Sequence, residues 1–84
     1  MKQSDRLIVS RAVEQALDRV ELPRAMRRAI AAEAREILKS KSRIRAAALK
    51  PMDQLTRAEA TALRAGSIIA GYADKLAARE AVQS

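Results

Sequence analysis

Arg24, Arg28, Arg35, Lys39, Arg43 and Lys50 stand at separations of four, seven, four, four and seven residues. On a helix turning about 100° per residue, those separations gather all six onto an arc of roughly 100°. Cations arranged in such a stripe neutralise phosphates, pair with acidic side chains or rest on anionic lipid. They make no covalent chemistry by themselves. The chain has no His and no Cys, which removes the commonest general base and the strongest nucleophile. Its ten carboxylates are dispersed, and both glycines fall in the third segment rather than in a phosphate-cradling loop. The residue types therefore point to a non-enzymatic binding protein, with no metal, cofactor or small-molecule substrate expected.

The charge is unevenly placed. Residues 23–50 hold nine Lys or Arg against two Glu, so the whole net charge of +7 lies there and the remainder is neutral. Like charges four apart on a helix repel by a few tenths of a kcal/mol per pair. Generic solubilisation would spread the excess more evenly. An anionic partner that relieves the repulsion is the better explanation.

Nucleic-acid backbone is the first such partner. Without Phe or Trp there is no aromatic platform for stacking single-stranded bases, so a duplex backbone fits best. An acidic surface on a larger protein is the alternative; a small inhibitor or adaptor of the kind bacteria, phages and plasmids encode would dock its helices there. A membrane surface ranks last, because the apolar face lacks interfacial aromatics.

The elements that must carry these residues are helical. Pro23 and Pro51 are the only prolines and divide the chain into three. The first segment predicts a helix over about 5–21, capped by Ser4 or Asp5, with Val9, Val13, Ala16 and Val20 on one face. The second predicts an unbroken helix over 23–50, about 40 Å long, with Pro23 at its first position. Met26, Ile30, Ile37, Ile44 and Ala48 would form its dry side, opposite the cations. On that helix Ser40 and Ser42 read as solvent-facing residues. The third segment predicts a helix over about 57–82, opened by a capping box in Thr56-Arg57-Ala58-Glu59.

Within the third helix, Ala58, Ala62, Gly66, Ala70, Ala73 and Ala77 form a ridge of small residues, flanked by Ala65, Ile69, Tyr72 and Leu76. Such a ridge admits a second helix at close range, within the chain or across a dimer. Ala62 and Gly66 also match part of a helix-turn-helix register, which would break this helix at Gly66-Ser67. Ser67 and Tyr72 fit that motif poorly.

These readings combine into an all-α domain spanning residues 1–84. It has one short helix and an antiparallel hairpin of two long ones, with Ile30, Ile37, Ile44, Ala62, Gly66, Ala70 and Ala73 at the helix-packing or dimer interface. Ala supplies nineteen of the hydrophobic residues and buries little surface per residue. A core so thin predicts a homodimer. The absence of Cys, of a long apolar run and of a signal-peptide pattern predicts a cytoplasmic protein.

Overall fold

The computed structural model describes residues 3–83; the side chains of residues 3–5, 73, 76–77 and 79–83 lie outside that description. The fold is all-helical: α1 (Gln3–Leu17), α2 (Arg24–Lys39), α3 (Lys41–Leu49), a single 3₁₀ turn (Met52–Gln54) and α4 (Arg57–Gln83). No described helix is long and apolar enough to cross a membrane.

The first helix departs from expectation at both ends. It opens at Gln3, ahead of Ser4 and Asp5, and stops at Leu17 rather than near residue 21. Its last turn contains no cation of its own. Arg27, from α2, fills that role: its guanidinium donates to the Leu17 carbonyl at 3.2 Å and to the Val20 carbonyl at 2.7 Å. A positive fork thus meets the last carbonyl of α1, which also accepts from the Val20 amide at 3.1 Å, and a carbonyl of the turn that follows, at the negative dipole end of the helix.

The helix expected over 23–50 is two helices. Ser40 stands between them in an extended conformation (φ −109°, ψ 111°), closing α2 and capping α3. Its amide donates to the Ile37 carbonyl at 3.1 Å, and its Oγ accepts from the Arg43 amide at 3.4 Å. Ser40 is therefore an N-cap residue and not part of a helix surface. Packing favours the break, because α3 buries Ala47 and lies against α4.

The fourth helix runs continuously through Gly66 and Gly71, and neither has a positive φ. No helix-turn-helix exists there. At its start the capping box forms in both directions. The Glu59 amide donates to Thr56 Oγ1 and the Thr56 amide donates to Glu59 Oε1, each at 3.1 Å.

The core joins α1, α2 and α4. Ala12, Val13, Ala16 and Leu17 of α1 meet Ile30, Ala34 and Ile37 of α2 and Ala58, Ala62 and Ala65 of α4. Helix α1 therefore packs within its own chain, with its most extensive contact on α4. The two run in opposite senses: Gln15 faces Tyr72, whose hydroxyl donates to Gln15 Oε1 at 3.1 Å, while Leu17 lines one open cleft with Thr61 and Arg57. Among the described residues, seven of the eleven buried hydrophobics are Ala. Small side chains let the helix axes approach, at the cost of apolar area.

The proposed seam on the second segment holds only in part. Ile30 and Ile37 are buried and Ile44 is half-buried, but Met26 is 48% exposed and Ala48 is exposed. Ala48 follows Ser40, where the break resets the helical phase. The small-residue ridge divides likewise. Ala58 and Ala62 are buried and Gly66 is half-buried, whereas Ala70 is exposed. The side chains of Ala73, Leu76 and Ala77 lie outside the described residues.

Gly66 is not required for a close approach. A Cβ built there would meet only Leu38 Cδ2, at 3.9 Å, which is ordinary contact. Replacing Gly66 by Ala is therefore expected to stabilise the fold by about 0.8–1 kcal/mol, the difference in helix propensity. Thermal unfolding followed by circular dichroism should show Tm rising by about 4–8 °C. A fall in Tm would mean that Leu38 cannot yield.

Candidate functional site

Of the six cations expected to share one stripe, α2 carries Arg24, Arg28, Arg35 and Lys39. Arg43 belongs to α3, and Lys50 is the residue that caps the C-terminus of α3 (ψ 146°). The break at Ser40 removes the common helical phase, so the six do not form one straight row. Arg24, Arg28, Lys39, Arg43 and Lys50 are exposed, and Arg35 is half-buried.

Three of the six already have an acidic neighbour. Lys39 Nζ lies 3.3 Å from Glu36 Oε1, Arg43 4.0 Å from Glu33 and Lys50 Nζ 2.9 Å from Glu59 Oε2. The first two pairs are well exposed on both sides and contribute little. Glu59 is more sheltered, with its side chain 15% exposed. The hydrogen bond from Lys50, together with that from the Thr56 amide, holds its carboxyl below the ordinary value. That glutamate stays ionised further into acid than a free one, and it fixes the end of α3 to the start of α4.

Arg28 and Arg35 line an open groove of about 630 Å³ between α1 and α2, shared with Arg27, Leu17 and the carboxylates Glu14 and Asp18. Neither arginine comes within 4.0 Å of a carboxylate among the described residues. The groove is thus lined by both signs of charge, and its positive field is weakened from the α1 side. Arg24 lies in the first turn of α2.

Two further cations stand on α3. Lys41 and Arg45 on α3 are exposed and have no carboxylate within 4.0 Å among the described residues. Projected on one continuous helix from Arg24, they fall near 260° and 300°, close to the supposed dry face. That is why the periodicity of the sequence conceals them. A local signal was present: residues 37–52 contain five cations and no acid.

The helix dipoles add to the field. Neither α2 nor α3 has an acidic residue in its first turn. Arg24 and Arg27 stand instead at the positive end of α2, and Lys41 and Arg43 at that of α3. Cations there oppose the macrodipole and cost stability locally, while raising the positive potential outside. Among the described residues, no three His, Cys, Asp or Glu side chains gather where they could hold a metal ion. The chain matches no family model, no curated protein and no solved structure.

Proposed function

We propose that this protein is a small, non-enzymatic accessory or regulatory protein of the cytoplasm that binds duplex nucleic acid through its backbone phosphates. The observation that carries the reading is the unrelieved charge of α2 and α3. Among the described residues, Arg24, Arg28, Arg35, Lys41 and Arg45 lack a carboxylate within 4.0 Å, and neither helix has an acidic residue in its first turn. In this reading α2–α3 and α4 serve as the limbs of a hairpin that presents the cations. A second copy covers Leu7 and Ile8, which are 56% and 36% exposed on α1.

Fluorescence anisotropy of a labelled duplex tests the proposal, with light scattering on the free protein to read the dimer. Engaging about five phosphates should cost about 500-fold in affinity between 50 and 200 mM salt. The double replacement Lys41→Glu and Arg45→Glu should weaken binding about 100-fold at low salt and make the salt slope shallower by about two. Arg35→Glu with Lys39→Glu should weaken it less, because Lys39 already faces Glu36 and Arg35 is half-buried. No duplex binding at low salt overturns the reading and transfers these cations to an acidic protein partner. A monomeric mass removes the dimer alone.

A further inference from the structure

Leu49 and Met52 are the most exposed large apolar residues described, at 86% and 89%. They stand three residues apart, on either side of Lys50-Pro51, where the chain leaves α3 for the 3₁₀ turn. Pro51, Ala46 and Ala48 beside them are exposed as well. Burying a Leu or Met side chain typically contributes 1.5–3 kcal/mol, so this corner leaves two such contributions unused.

The corner is firmly built. The Lys50 amide donates to the Ala47 carbonyl at 3.2 Å and the Gln54 amide to the Pro51 carbonyl at 3.0 Å. Lys50 Nζ is tied to Glu59 at 2.9 Å, and Glu59 is itself fixed by the capping box of α4. Pro51 adds a locked φ of −59°. The two apolar side chains thus project from a braced support.

Charge indicates what covers them. The corner ends the stretch 37–52, which has no acid of its own. On its approach Lys41 and Arg45 have no carboxylate within 4.0 Å among the described residues, while Lys39, Arg43 and Lys50 face Glu36, Glu33 and Glu59, and Asp53 follows Met52. A hydrophobic protein groove or a lipid surface would reward a broader apolar face than two side chains, and no Phe or Trp is available to widen it. A single base-pair step needs no more than this. Duplex-binding proteins insert Leu, Met or Pro wedges between base pairs from the minor groove, unstacking one step while adjacent cations hold the phosphates.

We propose that Leu49, Pro51 and Met52 form an apolar wedge that enters one base step of duplex DNA and bends it. This rests on the duplex-binding reading above. The bend would lie within the range of about 20–90° known for such wedges. The cations of α2 and α3 supply affinity, and the wedge supplies deformation.

The test uses the full chain and a 30-base-pair duplex carrying donor and acceptor dyes at its ends, with anisotropy measured on the same samples. The protein should bind and raise energy transfer as the ends approach. Leu49→Ala with Met52→Ala should abolish the rise while affinity for the intact duplex falls no more than about fivefold and the salt slope stays unchanged. A helical circular dichroism spectrum shows that the variant is folded; both residues are exposed, so the fold should be kept. Binding without any change in transfer, or a rise that survives the double replacement, overturns the wedge and leaves duplex binding standing. No binding to the duplex overturns the parent reading instead. Flotation with phosphatidylserine-containing vesicles that depends on Leu49 and Met52, in a protein that ignores the duplex, assigns the corner to a membrane and overturns both.

Discussion

Replacing Ile37 by Asp is expected to leave a chain with no cooperative thermal transition. Ile37 is 1% exposed and, with Val13, is one of the two largest fully buried side chains. It lies where α2 meets α1 and α4, in a core otherwise built mostly from Ala. Truncating a buried Ile to Ala alone costs about 2–5 kcal/mol. A carboxylate in that place adds several more, because it loses water and gains no partner. A domain of this size has roughly 4–13 kcal/mol to lose. The measurement is circular dichroism at 222 nm on heating. Ile37→Val serves as the graded control, and its loss should be only about 0.5–1.5 kcal/mol with the transition preserved. An Ile37→Asp protein that melts like the parent would remove α2 from the core.

Arg27→Ala should produce the second-largest loss of stability, about 1.5–3 kcal/mol. Its guanidinium makes hydrogen bonds of 3.2 and 2.7 Å to the Leu17 and Val20 carbonyls. Charged donors on backbone acceptors are worth more than neutral ones, though water can partly replace a donor at this half-buried site. Urea denaturation reads the loss, and amide hydrogen exchange should locate it by faster exchange in the last turns of α1. Arg27→Lys should recover little, since one ammonium cannot span two carbonyls as a planar fork does. Full recovery by Lys would reduce the interaction to simple charge at a helix end.

These two residues show what the sequence discloses and what it withholds. The buried place of Ile37 follows from its period with Ile30, because both lie on one uninterrupted helix. Nothing local announces Arg27 as a cap for a helix ten residues earlier, because that role requires α1 and α2 to be docked. The start of α4 is legible for the opposite reason: Thr56 and Glu59 satisfy one another within a single turn.

The break at Ser40 shows why the arrangement of the cations was only half legible. Leu38-Lys39-Ser40-Lys41-Ser42 contains no Gly or Pro, and serine, though it favours the N-cap position, occurs within helices often enough that it does not by itself announce a break. Local propensity leaves the choice nearly balanced, and the contacts of Ala47 and Lys50 with α4 decide it. Once α3 changes direction, every angle projected beyond residue 40 is lost. Ala48 then leaves the dry face, and Lys41 and Arg45, which projected beside it, are exposed. Charge density survives such an error because it does not depend on phase. The excess over residues 23–50 therefore does not depend on where the helix breaks.

The pairing of α1 with α4 also bears on how the chain is made. Helix α1 is synthesised before α4, the helix on which it chiefly rests. While α2 and α3 are being synthesised, Ala12, Val13, Ala16 and Leu17 have only part of their eventual cover. Closing that contact spans roughly the length of the intervening chain, and the entropy of closure must be met before burial begins to repay it. A chain lacking Thr61 and Ala65 would leave α1 covered by α2 alone. Helix α1 is thus fully covered only once α4 has been made.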